Sequence, residues 1–132
     1  MSTQAALDFV EAINNHDVET ILSLMTDDHL FIDAYGNREN KEEMKSGWPG
    51  YFAWFPDYHI EIFDVLAEGN VVALFGYASG TYRGQATASN AGQWRLPAAW
   101  RVVTDEEKVK IWQGYAESKI PFSLLDGADS KR

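Results

Sequence analysis

The chain predicts an α+β fold, with three N-terminal helices packed on one face of a strongly curved, mainly antiparallel sheet. Three observations predict it: two helical repeats at the start, an aromatic helical stripe after them, and four alternating segments between Tyr58 and Glu117 separated by turn residues. The 132 residues read as one domain, 1–132, long enough to bury a core without disulfide or metal staples.

Ala6, Phe9, Val10 and Ile13 fall at i, i+3, i+4 and i+7, which predicts an amphipathic helix from Thr3 to Asn15, capped by Ser2 or Thr3 and stopped by Asn14-Asn15-His16. Asp17 is an N-cap for a second helix in which Val18, Ile21, Leu22 and Met25 repeat the spacing as far as Thr26-Asp27-Asp28. The two short helices then pack as a hairpin. His29 to Asp33 predicts a short strand, and Tyr35-Gly36-Asn37 a polar turn.

Asn40 followed by Glu43 is a capping pattern, and Met44, Trp48, Phe52 and Phe55 form the stripe of a third helix. Pro49 removes one N–H and clashes with the carbonyl of Lys45, so this helix is expected to kink or restart near Gly47-Trp48 and to end before Pro56. Strands follow at Tyr58 to Leu66, Val71 to Tyr82, Gln93 to Thr104 and Val109 to Glu117, with turns at Glu68-Gly69-Asn70 and Asp105 to Glu107. Arg83 to Gly92 reads as a connection. Ile120, Pro121, Phe122, Leu124 and Leu125 are apolar enough to cover a cavity mouth or a neighbouring subunit, and residues 126–132 read as a frayed tail.

Twenty acidic residues against eleven basic ones give a net charge of −9, which repels phosphate backbones and excludes nucleic acid as an expected partner. The chain has no cysteine, so disulfides, thiolate metal sites and cysteine nucleophiles are excluded. No apolar run approaches the ~20 residues of a membrane span, and Met1-Ser2-Thr3-Gln4 opens no leader, so a soluble cytoplasmic protein is expected. Gly76-x-x-x-Gly80-x-x-x-Gly84 lacks the Lys-Ser/Thr of a phosphate loop, and no Ser-His-Asp order suggests a nucleophilic triad. Aromatic residues make up 14% of the chain, more than its core requires, so some should line a cavity or an interface.

Asp33 stands out as an acid beside Phe31 and Ile32. A carboxylate there is either a general base for proton abstraction next to a carbonyl or an acid bonded to backbone amides or an arginine. His29 shares a strand face with it, but four residues of strand span ~13 Å, too far for a direct bond or a shared metal ion unless the strand is strongly bulged. His16 and His59 read as surface residues, and no metal site is expected. Arg101 falls on the same face as Ala99 and Val103 if that strand alternates regularly, where it could neutralise Asp33 or orient a substrate carboxylate or enolate; a bulge or Pro97 would instead turn it outward. Gly76, Ala78 and Gly80 leave one sheet stripe nearly bare, making either a wide cavity or room for Trp48, Phe52, Phe55 and Trp112. The opposite stripe of Phe75, Tyr77, Ser79 and Thr81 then lies on an outer face suited to a homodimer interface.

This order of elements, with Asp27-Asp28, Asp33 and Gly36 at the end of the helical hairpin, resembles the nuclear transport factor 2-like superfamily, and in particular ketosteroid isomerase and the SnoaL-like polyketide cyclases. The likeness is strongest from Ala6 to Gly36 and continues through Phe55-Pro56-Asp57, Gly80-Thr81-Tyr82 and Lys108-Val109. It implies a cone-shaped fold around a mostly apolar cavity. Asp33 matches the isomerase's proton-shuttling aspartate. The isomerase's first oxyanion donor falls at Phe9 and its second, aligned without a gap, at Ala99. Losing one such donor costs ~3 kcal/mol of transition-state stabilisation, so steroid isomerisation is not expected. The acid of related epoxide hydrolases falls near Gly114, which cannot move a proton.

The resulting expectation is a SnoaL-like protein that binds a small hydrophobic molecule, needs no cofactor and pairs as a homodimer through its outer sheet face. Phe9, Phe31, Tyr35, Trp48, Phe52, Phe55, Trp94 and Trp112 would shape its pocket. Two classes stay open: an isomerase, cyclase or lyase in which Asp33 moves a proton, and a non-catalytic ligand-binding or interaction module in which Asp33 is structural.

Overall fold

The computed structural model describes residues 2–82 and 92–116, and its first two periodic segments form α1 (Ser2–Asn14) and α2 (Val18–Ser23). α1 buries Ala5, Ala6, Phe9, Val10, Ala12 and Ile13, the stripe that its spacing predicts. Asp17 caps α2 by accepting from the Thr20 backbone N–H at 3.1 Å and from the Thr20 hydroxyl at 2.6 Å. α2 ends sooner than the apolar spacing suggests. Met25 is instead the first residue of β1 (Met25–Ile32), paired with Val109 on a neighbouring strand, and the Leu24 carbonyl accepts from the Val109 N–H at 2.7 Å. Sheet pairing thus overrides a fourth helical repeat.

A short strand that the sequence does not signal, β2 (Arg38–Asn40), pairs antiparallel with β1. All three of its residues are exposed, so it carries no alternation to detect. α3 (Lys41–Trp54) follows at once, held by the expected capping box: Asn40 accepts from the Glu43 N–H and Glu43 from the Asn40 N–H, both at 2.8 Å. α3 runs on past Pro49 without restarting and ends before Pro56.

The remaining strands are β3 (His59–Glu68), β4 (Val71–Thr81), β5 (Gln93–Asp105) and β6 (Lys108–Ala116). They form an antiparallel meander, β1 joins β6 in parallel, and the six-stranded mixed sheet has the order β2-β1-β6-β5-β4-β3. Gly69, at φ +61°, makes the tight β3–β4 turn that a side chain would strain. The apolar segment around residues 120–125, the tail at 126–132 and most of the Arg83–Gly92 connection lie outside the described residues.

α1 packs across β3, β4, β5 and β6. Phe9, Ile13, Ile21, Met25, Leu74, Val102 and Val109 form the dry centre of the core, each fully buried or nearly so. Burial of such a side chain stabilises the fold by about 1.5–3 kcal/mol. Asn14 pins the start of β3 by pairing with both the N–H and the carbonyl of Ile60, at 2.7 and 2.9 Å. His16, expected at the surface, is half-buried: its ring stacks on Phe52 at 4.1 Å and its Nε2–H donates to the Tyr58 carbonyl at 2.9 Å.

On β4 the inner stripe is Val72, Leu74, Gly76, Ala78 and Gly80, and the outer one includes Phe75, Tyr77, Ser79 and Thr81, as the sequence predicts. Gly76 is where β3 bulges between Ile62 and Asp64; a Cβ there would collide with the Glu61 carbonyl. Pairing with β4 also fixes the faces of β5. Leu74 opposes Trp100 on the inside, whereas Ala73 opposes Arg101 and Phe75 opposes Ala99 on the outside. Of the two orientations that the sequence leaves open for Arg101, the outward one holds, although β5 pairs with β4 without a bulge at Pro97: Trp94, Leu96, Ala98, Trp100 and Val102 take the inner face, so Ala99 and Arg101 do not face inward. Arg101 is exposed, and it donates to the Gln113 side chain at 3.3 Å.

Candidate functional site

Between α3, β1 and the inner face of β4, β5 and β6 lies a cavity of about 380 Å³. The helical spacing that buries α3 also supplies one wall, with Met44, Trp48 and Tyr51 at i, i+4 and i+7 and Trp54 at the rim. The opposite wall comes from strand alternation: Trp94, Leu96, Ala98 and Trp100 of β5, with Trp112 and Gly114 of β6. Phe31, Ile32, Asp33 and Ala34 close one side, and Tyr58 another. Space survives because Ala78, Ala98 and Gly114 stand between the indoles. Elsewhere the bare stripe is filled, since a Cβ on Gly80 would lie 3.2 Å from both Phe55 and Trp94.

Of the expected pocket residues, Phe31, Trp48, Trp94 and Trp112 line the cavity, and Phe9, Tyr35, Phe52 and Phe55 do not. Phe9 is fully buried against Trp112 at 5.0 Å, deep in the core. Phe52 and Phe55 pack behind the wall on His16 and Tyr51. Tyr35 is 62% exposed, carried outward by the turn after β1. The sequence reading missed Tyr51, Tyr58 and Trp100. The signal was present for two of them: Tyr51 continues the Met44-Trp48 stripe, and Trp100 lies in phase with Trp94 along β5.

Asp33 stands just past the end of β1, half-buried at the cavity wall. Its Oδ1 accepts from the backbone N–H groups of Tyr35 and Asn37, both at 2.9 Å, and its Oδ2 accepts from Asn37 Nδ2 at 3.0 Å. Backbone bonds from Asp33 N–H to the Asn37 carbonyl and from Gly36 N–H to the Asp33 carbonyl complete the turn, with Gly36 at φ +89°. Three of the roughly four lone-pair sites of the carboxylate are therefore occupied, leaving about one on Oδ2.

His29 goes to the core. It is fully buried, its Nδ1–H donates to the Val109 carbonyl at 2.8 Å, and its Nε2 has no partner among the described residues. Burial pushes its pKa below the ordinary range, so the ring is neutral at pH 7. It does not line the cavity, and no hydrogen bond joins it to Asp33. The bulge in β1 lies between Met25 and Leu30, so it re-aims His29 without bringing it to Asp33.

The polar groups that remain in the lining are mostly neutral donors. Burial holds the hydroxyls of Tyr51 and Tyr58 well above the ordinary tyrosine range, so both stay protonated. Neither hydroxyl makes a hydrogen bond among the described residues, and the buried indole N–H groups of Trp48 and Trp94 have no partner there either. Asp33 and Glu39 are the acids of the lining; among the described residues no Lys or Arg belongs to it.

A helix-covered mixed sheet of this topology, enclosing an aromatic cavity, defines the nuclear transport factor 2-like class. Residues 6–112 match the family model of the SnoaL-like domain, and the chain belongs to that family. Comparison with curated proteins finds no match. Among solved structures, a protein from Shewanella putrefaciens CN-32, provisionally assigned as a SnoaL-like polyketide cyclase, superposes with a TM-score of 0.78 at 15% identity, covering 95% of this chain and 85% of its own. A protein with a ketosteroid isomerase-like fold from Catenulispora acidiphila DSM 44928, solved with trimethylamine, gives 0.73 at 18% identity over 84% and 83% of the two chains. An uncharacterised cystatin-fold protein from Novosphingobium aromaticivorans gives 0.74 at 23% identity over 86% and 96%. At these identities the likeness is one of fold.

Proposed function

We propose that the protein binds a small, largely apolar organic molecule in the cavity and that Asp33 accepts a proton from it, as in an isomerase, cyclase or lyase. One observation carries this reading: a carboxylate is held by three hydrogen bonds at the wall of an otherwise aromatic cavity, with one lone pair left over. Such fixation orients a base without help from the ligand. The positions that the family comparison assigns to oxyanion donors, Phe9 and Ala99, lie in the core and on the outer face. Any donor to a ligand oxygen must therefore come from elsewhere.

A second reading has its own support. Three hydrogen bonds to a turn are what a structural Asp supplies, and then the protein is a ligand-binding or interaction module without chemistry. Under either reading the outer sheet face is a homodimer interface: Phe63 and Phe75 are exposed there, Phe63 meets Tyr77 at 5.2 Å, and Arg95 covers the Tyr77 ring at 3.7 Å.

The experiment is enolisation of a flat ketone, 2-acetylnaphthalene, read as exchange of its methyl protons in D2O, beside a thermal-shift screen of hydrophobic carbonyl compounds. Exchange accelerated by wild type and lost in Asp33→Asn, with ligand-induced stabilisation retained, supports proton transfer. Stabilisation by ligands in both proteins with no exchange in either selects the non-catalytic module.

A further inference from the structure

We infer that Tyr51 and Tyr58 form an oxygen-binding end of the cavity, and that the ligand is a neutral, flat molecule presenting a carbonyl or similar acceptor oxygen to their hydroxyls. This rests on reading the cavity as a ligand site and adds what the ligand must carry.

The two rings meet edge to face at 4.9 Å, and Tyr51 is wedged further by Phe55 at 5.1 Å and Trp48 at 6.3 Å. Tyr58 is fixed through its backbone, with its N–H on the Phe55 carbonyl at 3.0 Å and its carbonyl on His16 Nε2 at 2.9 Å. These contacts occupy ring faces and lock the side chains, leaving the hydroxyls as the groups without partners among the described residues. Neither hydroxyl is among the fully buried atoms that lack a partner, so both keep accessible surface, and an acceptor atom on a ligand in the cavity can take up their bonds. Deep burial keeps both phenols protonated, so they donate.

Charge narrows the ligand further. With Asp33 and Glu39 in the lining and no Lys or Arg among its described residues, a carboxylate or phosphate would be desolvated without a counter-charge. A neutral oxygen meets no such penalty. The flat body follows from the walls, since Trp48, Trp94, Trp100 and Trp112 present extended aromatic surface around about 380 Å³, room for a two-ring molecule.

Four naphthalenes that share one body test the inference on the full chain by titration calorimetry: 2-acetylnaphthalene, 2-isopropylnaphthalene, 2-naphthoate and 2-naphthyltrimethylammonium. The ketone is expected to bind about five- to tenfold more tightly than its isopropyl isostere, the difference one or two net hydrogen bonds make. The double variant Tyr51→Phe, Tyr58→Phe should erase that difference while leaving the isopropyl compound's affinity unchanged. If the double variant fails to fold, Tyr51→Phe alone is expected to remove about half of the preference on a logarithmic scale. Equal binding of ketone and isopropyl compound by wild type, a ketone preference that survives in the Phe variant, or tighter binding of the carboxylate or the ammonium ion overturns the inference and leaves the cavity a ligand site. Binding of none of the four overturns the ligand site itself.

Discussion

His29 and Asp33 stand four residues apart at the end of one strand, and the fold treats them in opposite ways. His29 is fully buried, neutral and bonded to the Val109 carbonyl of β6. Asp33 lies one residue past the last strand pair, half-buried, with its carboxylate turned into the loop that leads to β2. The histidine is a buckle between parallel strands; the aspartate closes a turn beside a cavity. Two polar residues near one apolar run therefore mean different things according to whether the sheet still continues at their position. Within the sheet, a buried polar group is satisfied by a neighbouring strand. Beyond it, the side chain is free to order a loop and to meet a ligand.

Substitutions at these two positions break or sharpen the contrast. The largest effect is expected for Asp33→Asn on enolisation, a loss of about 10²- to 10⁴-fold, since that is what a positioned base contributes. The same change should leave the fold nearly intact. The carbonyl oxygen of the introduced asparagine can still accept from the Tyr35 and Asn37 amides, and the Asn37 side chain can rotate its amide to present oxygen to the new NH2. Next in size is His29→Ala, expected to cost about 2–4 kcal/mol in denaturant unfolding, because it opens a hole in the core and strands the Val109 carbonyl. Binding of 2-acetylnaphthalene by the folded fraction should not change, which separates a core role from a site role.

Asp33→Ala is expected to cost about 1–3 kcal/mol, since it unpairs two turn amides. A cost of that size in Asp33→Asn as well would make the carboxylate structural and remove the distinction drawn above. The pH dependence of stability sharpens the other half. Burial lowers the folded pKa of His29 below 6.5, so the unfolded chain takes up the proton first. The His29 contribution is thus full above pH 6.5, declines as pH falls through that value, and levels off below the lowered folded pKa. Unfolding followed from neutral to mildly acidic pH should show this decline in wild type and less of it in His29→Phe. The smallest effect belongs to Arg101→Ala, within about 0.5 kcal/mol in stability and with no change in ligand binding, because Arg101 is exposed on the outer face.

Much of this architecture is legible in the chain itself. The i, i+3, i+4 stripes place α1 and α3, the Asn40-Glu43 pair places the start of α3, and alternation places β3 to β6 within two residues of their ends. These signals are local: they depend on chain neighbours and on which residues prefer water. The candidate site is legible in part. Asp33, Phe31, Trp48, Trp94 and Trp112 stand out in the sequence and do line the cavity. The sequence leaves the face of Arg101 open, because strand phase within β5 depends on which side Trp94 and Trp100 bury, and Pro97 and the neighbouring alanines blur that pattern.

By itself the sequence determined the α+β class, the family and an acid set beside apolar residues. Only the tertiary structure decided that Met25 opens a strand, that β2 exists, that His29 belongs to the core and that Tyr51 and Tyr58 meet in the cavity wall. Each of these depends on contacts between distant segments: Leu24 with Val109, β1 with β2, His29 with Val109, and α3 with the start of β3. A local pattern fixes which face of an element avoids water, whereas the partner on the other side of that face is chosen by packing of the whole chain.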